Sequence, residues 1–123
     1  MPWDLDADRP IFIQILERIR VDIISGKYEA GEKLPSVREL AAQAAVNPNT
    51  MQRAFAELER TGLVYSKRTS GRFITEDREM IEQVRIEIAK EKIKLFLEGM
   101  RQLGYEKAQI LPLIQQSMEG EEQ

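Results

Sequence analysis

The residues best suited to making contacts at a polar surface cluster between positions 36 and 72. Within "VNPNTMQRAF", Asn47, Asn49, Thr50, Gln52 and Arg53 fall in seven consecutive positions, and Ser36 and Arg38 precede them. Asparagine can bond adenine bidentately, arginine can bond guanine in the same way, and threonine can meet a thymine methyl. A second group, Lys67, Arg68, Thr69, Ser70, Gly71 and Arg72, sets three cations around a slim Ser70-Gly71 pair. Such a segment can neutralise phosphates and enter a minor groove. Each group also has a plainer reading. Asn47 can simply cap a helix, Arg38 can pair with a nearby glutamate, and Arg53 and the later cations can be solvated surface charges.

Other chemistries are poorly supplied. The chain has no histidine and no cysteine, which removes the commonest general base, the commonest metal ligand and every thiolate. Glu82, Glu87, Glu91 and Glu98 stand among lysines at helical spacing, Glu87 with Lys90 and Glu91 with Lys94. That pattern is an ion-paired, solvated face rather than an acid–base pair or a metal site. No cofactor is expected. The apolar runs are too short to span a membrane, the acidic start "MPWDLDADRP" lacks the apolar core of a signal peptide, and a cytoplasmic location is expected.

The formal net charge is −3, but its distribution is uneven. Residues 33 to 72 carry seven bases and three acids, while residues 77 to 123 carry seven bases and ten acids. The middle third is therefore positive in an otherwise acidic chain, a footprint suited to double-stranded DNA.

The elements that must position these residues can be read from spacing. Apolar residues at 12, 15, 16, 19, 23 and 24 predict an amphipathic helix between Pro10 and Gly26. "KYEAGEKLPS" reads as a loop. Ser36 with Glu39 forms a capping-box pattern that opens a helix over 36–45. Asn47 is a favoured N-cap and Pro48 suits the first helical position, so the proline starts a second helix, over 48–61, rather than breaking one. Two short helices joined by about three residues have helix-turn-helix spacing. Leu63, Tyr65, Phe73 and Thr75 can alternate across a hairpin with Lys67, Arg68 and Arg72 at its tip, which makes a wing.

From Asp77 the chain reads as one long helix to Leu103. Ile86, Ala89, Ile93, Phe96, Met100 and Leu103 recur at alternating spacings of three and four, a coiled-coil-like seam. Ile81, Val84, Ile88 and Leu95 form a second stripe. One stripe is expected to pack its own chain and the other a second copy. A shorter helix follows Gly104, with Pro112 implying a kink or a late start, and the tail "EGEEQ" is expected to be disordered. The fold class is mainly α with a small β-hairpin: a winged helix-turn-helix over 9–76, then a two-helix dimerisation region over 77–118.

"LPSVRELAAQAAVNPNTMQRAFAELERTGLVYSKRTSGRFI" resembles the winged helix-turn-helix domain of the GntR family of bacterial transcription regulators. The resemblance runs over about residues 9 to 76, and "NPNT" with a short C-terminal part is similar to the YtrA-like subfamily. It implies that Arg38 contacts DNA from the helix before the turn. It further implies that Asn47, Asn49 and Thr50 meet bases and phosphates, and that Ser70 and Gly71 form the wing tip. Many relatives carry arginines where this chain has Pro48 and Gln52, so fewer guanine contacts are expected there. It also implies a homodimeric repressor of transporter genes. A small-molecule effector, where one acts, would sit at the dimer interface, and a regulator that answers to none fits equally. A winged helix that only docks proteins remains the alternative.

Overall fold

A computed structural model describes residues 3–121. Its described residues form five helices and one hairpin, in the order α1 (Ile11–Ile24), α2 (Val37–Ala44), α3 (Pro48–Thr61), β1 (Val64–Lys67), β2 (Gly71–Ile74), α4 (Arg78–Gln102) and α5 (Lys107–Glu121). The chain divides into two units, one reaching to Arg85 and one beginning at Ile86.

In the first unit, α1 turns Ile15, Leu16, Ile19 and Ile23 into the core. Gln14 is buried beside them. Its side-chain oxygen accepts from the Asp6 amide at 2.6 Å, and its nitrogen donates to the Asp6 and Arg9 carbonyls at 2.6 and 3.0 Å. A polar group in the core is tolerated because both of its ends are bonded, and the bonds strap residues 6–9 across the start of α1.

Both helix starts expected from the capping residues form. Ser36 Oγ accepts from the Glu39 amide at 3.1 Å, and the Glu39 carboxylate accepts from the Ser36 amide, completing the box. Asn47 caps α3 with Pro48 in its first turn. Between them Ala45 has φ 60°, and is the sole described non-glycine residue at positive φ. This left-handed residue lets the Val46 amide reach back to the Ala41 carbonyl at 3.0 Å and swings the chain into α3.

α3 is the pivot of the unit. Met51, Ala54, Phe55 and Leu58 are fully buried and pack against α1, α2 and β1. Gly62, at φ 88°, ends the helix. The hairpin then pairs Val64 with Ile74, Tyr65 with Phe73, Ser66 with Arg72 and Lys67 with Gly71. Val64 and Ile74 enter the core, while Tyr65 and Phe73 stack on the other face with ring centroids 5.9 Å apart.

The segment expected to be a loop before α2 is one, tied to the hairpin at a single bridge. Lys33 bridges Phe73, the Leu34 amide donates to the Arg72 carbonyl at 2.9 Å, and the Ile74 amide donates to the Glu32 carbonyl at 2.8 Å. Burial of Leu34 holds this single bridge against the two-stranded sheet. Glycine and proline on either side mark the loop, while a single anchoring leucine has no period from which the bridge could be read. The first turns of α4 belong to this unit as well, with Met80, Ile81 and Val84 against its core.

The second unit holds the rest of α4 and all of α5. Gly104, at φ 95°, stops α4, and the Tyr105 amide bonds the Met100 carbonyl at 3.1 Å. α5 starts at Lys107 and carries Pro112 inside it, so the proline does not delay the helix; it deprives the ladder of one donor. Helix also continues through Glu121, so residues 119–121 of the expected disordered tail are ordered, and residues 122–123 lie outside the described residues. Ile110 is buried, whereas Ile93, Phe96, Leu103, Leu111 and Met118 are exposed. None of the described helices is long and apolar enough to cross a membrane.

Two substitutions test this packing by urea unfolding. Ile19→Ala should cost about 2–5 kcal/mol through the cavity it leaves. Ala45→Gly should stabilise by up to about 1 kcal/mol, because relief of the left-handed alanine outweighs the extra freedom of an unfolded glycine. A destabilising Ala45→Gly would contradict the turn geometry.

Candidate nucleic-acid interface

Three pieces of backbone converge on one groove of about 470 Å³. The start of α2 contributes Ser36, Arg38 and Glu39, α3 contributes Gln52 and Phe55, and the wing contributes Thr69, Ser70, Gly71 and Arg72, with Lys33 and Leu34 closing the floor. Arg38 is exposed on α2. Asn49 is exposed in the first turn of α3 and Thr50 is half-buried beside it.

Asn47 is committed in part to its capping role. Its side-chain oxygen accepts from the Asn49 amide at 2.8 Å, which leaves the side-chain nitrogen as its outward donor. Arg53 does not line the groove. It follows Gln52 by 100° around the helix, and its guanidinium lies 3.7 Å from the centroid of the Phe12 ring on α1, a cation–π contact. Gln52 and Arg53 thus face different sides of α3.

The wing cations also differ from one another. Arg72 is not at the hairpin tip. Its Nε donates to Glu59 Oε1 at 2.5 Å, and Ser66 Oγ donates to the same oxygen at 2.6 Å. The side chains of Arg72 and Glu59 are both partly buried in this pair, and the guanidinium also lies 5.2 Å from the Phe55 ring. Lys67 leans over the opposite face, its Nζ 4.8 Å from the Phe73 ring. Arg68, in the turn itself, is exposed.

Gly71 has a conformational reason to be glycine. Its φ is 104°, and a Cβ there would approach Lys33 Cε to 3.0 Å. The end of the Lys33 side chain lies over this glycine, at the edge of the groove. Two residues were therefore not anticipated from sequence. Lys33 sat in a presumed loop, and Glu59 looked like one more helical surface acid. The only signal for Glu59 was its place on the helix next to a serine and arginine that face each other across the hairpin.

No group of three or more histidine, cysteine, aspartate or glutamate side chains among the described residues could hold a metal ion. In the second unit, Phe96, Met100, Leu113, Ile114 and Met118 line an open apolar groove of about 350 Å³ between α4 and α5. Of the expected seam, Ile86, Ala89, Ile93, Phe96 and Leu103 are exposed and Met100 is half-buried.

The hydrogen bonds from Ser66 and Arg72 hold the Glu59 carboxyl below its ordinary range, with Ser66 the larger cause. A carboxylate whose folded-state pKa is depressed stabilises the fold fully above its unfolded value of about 4.3 and stops doing so as pH falls through the lower folded value. Wild type should therefore exceed Glu59→Gln by at most about 1 kcal/mol at neutral pH, as expected of a partly exposed pair. The difference should close as urea midpoints are followed into acid below that unfolded value. A gap independent of pH would contradict this. Separately, Gly71→Ala should lower stability by about 1–3 kcal/mol through backbone strain, read from thermal unfolding.

Comparison with known proteins agrees with this geometry. The pattern of the bacterial regulatory proteins of the gntR family matches residues 13–74. The HTH-type transcriptional regulator YhcF of Bacillus subtilis is 38% identical over 120 residues, which cover 98% of this chain and 99% of that protein. The HTH-type transcriptional repressor YtrA of the same organism is 34% identical over 84% of this chain and 80% of its own. A solved GntR family transcriptional regulator from Listeria monocytogenes is 45% identical, with a TM-score of 0.86 over 91% of this chain and 98% of that one. The chain belongs to the GntR family of bacterial DNA-binding transcription regulators.

Proposed function

We propose that the protein is a homodimeric repressor that binds a palindromic operator and occludes a promoter. The observation that carries this reading is the single groove shared by α2, α3 and the wing, with Arg38, Gln52 and Thr69–Ser70 on its walls. α3 would enter a major groove by its first turn, where Asn49 and Thr50 are presented, and the wing would lie on the adjacent backbone. Arg38, Lys33 and Arg68 are the cations assigned to phosphates. Ser36 and Asn47 cap the helices that present this surface, and Lys67, Gly71 and Arg72 shape the wing beside it.

The second unit supplies the reason for two copies. Ile93, Leu103, Leu111 and Met118 are each more than half exposed, and an apolar surface of that kind needs a partner. A second copy covers it by two-fold symmetry, which places two α3 helices on half-sites about one helical turn apart. The division of labour is then DNA binding over 9–76 and dimerisation over 77–118, in the cytoplasm. Repression rests on the likeness to YtrA, named as a repressor. Transporter genes are proposed as targets on the subfamily resemblance alone. A small-molecule effector, where one acts, is placed at the dimer interface.

Two measurements test the proposal. Sedimentation should find the wild type as a dimer, while Phe96→Asp with Leu103→Asp should yield a folded monomer with weakened DNA binding. A wild-type monomer at micromolar concentration would overturn the dimer. Arg38→Ala should reduce affinity for a duplex selected by the wild type by about tenfold and shallow the dependence of log affinity on log salt by roughly one. Unchanged affinity would turn the reading towards a protein-docking winged helix.

A further inference from the structure

The hairpin meets the rest of the first unit at graded distances along its length. At its base Val64 and Ile74 are sunk in the core, and the Thr75 amide bonds the Leu63 carbonyl at 2.8 Å. At its end a turn over 68–70 is exposed. Between them the register pairs Ser66 with Arg72, and both side chains point to α3, where they meet one oxygen of Glu59 at 2.6 and 2.5 Å. Two residues of one cross-strand pair are thus tied to one carboxylate on the recognition helix.

The consequence is mechanical. A two-stranded ribbon has a wide range of twist, so the core contacts at 64 and 74 alone leave the angle of its tip loosely set. Glu59 fixes a second point, two pairs further out. The same point governs the groove wall, because the Arg72 carbonyl accepts from the Leu34 amide at 2.9 Å, two residues ahead of the α2 cap. Arg72 is also set over Phe55, which lines the groove from α3. Its Nε is committed to Glu59 in this arrangement.

We propose that Glu59 is a positioning residue that latches the wing to α3 through Ser66 and Arg72, and that this fixed wing angle makes the protein discriminate its operator from other DNA. The proposal rests on the DNA-binding reading for its second half only. In this proposal Glu59 and the Nε of Arg72 act on the wing rather than on DNA directly. Removing the carboxylate should leave general electrostatic attraction intact while blurring the geometry on which specific contacts depend.

The chain has no cysteine, so spin labels can be placed at will. Labels at Ala56→Cys on α3 and Thr69→Cys in the turn report the wing-to-helix distance without DNA. In that background Glu59→Gln should broaden the distance distribution. In the unlabelled chain it should lower the ratio of affinity for a wild-type-selected duplex over a scrambled duplex about tenfold, the scale of one mismatched base pair, with scrambled-duplex affinity held within about twofold. The reversed pair, Glu59→Arg with Arg72→Glu, should recover both the narrow distribution and the ratio. Should Glu59→Gln fail to fold, Ser66→Ala removes one arm of the latch at an exposed position and should shift both readouts in the same direction. An unchanged distance distribution would overturn the latch. Equal losses on both duplexes, or a reversed pair that restores the distance and not the ratio, would overturn the link to discrimination. If the wild type selects no duplex at all, the DNA reading fails, and the distance measurement still decides the latch.

Discussion

Burial of one face of α3 is the constraint on which the rest of the first unit depends. Met51, Ala54, Phe55 and Leu58 are wholly removed from water, and each large side chain among them contributes on the order of 1.5–3 kcal/mol. That anchoring fixes the rotation of the helix about its axis. Asn49, Gln52 and Arg53 are thereby forced outward, and their directions follow from the 100° step between residues. Gln52 reaches the groove and Arg53 reaches Phe12 for the same reason. Ala54 is small where α2 crosses, so the two helices can approach closely, and the left-handed Ala45 supplies the change of direction between them.

Charge is organised around that helix rather than spread over the surface. The middle third holds a surplus of bases, yet two of the three wing cations are partnered inside the protein. Arg72 is bound by Glu59 and Lys67 covers an aromatic face. What remains at the groove is a smaller set, Lys33 and Arg38, with Arg68 beyond it at the turn. A surface with few unpartnered cations on an acidic protein favours DNA that also fits its shape, because non-specific attraction scales with the number of phosphates neutralised. The carboxylate on α3 then shapes the interface without belonging to it.

Much of this was legible in the chain because it is written in local rules. Capping at Ser36 and Asn47, the proline opening α3, the amphipathic face of α1 and the exposed seam of α4 all follow from spacing and from the geometry of helix ends. Family resemblance adds expected DNA-contact roles for Arg38 and for Ser70-Gly71, which remain part of the proposal. What could not be read were the contacts that depend on tertiary closeness. The Lys33 bridge depends on burial of Leu34, the Glu59 pair depends on hairpin register, and the direction of Arg53 depends on Phe12 from a distant helix. Pro112 and the last turn of α5 went the other way. Local rules there allowed a late start at Pro112 and a disordered tail, yet helix runs from Lys107 through Glu121.

The second unit exposes in one chain the apolar residues that two chains can bury, and a repressor reading needs that pairing to set the spacing of two α3 helices. The most direct measurement is to let the purified protein select fragments of genomic DNA at about 150 mM salt, where weak non-specific binding is largely lost, and to sequence what it retains. Recovery of a palindrome with half-sites about one helical turn apart is the predicted result. Retention of single, unpaired half-sites, or of no sequence in particular, would contradict the dimeric operator-binding account.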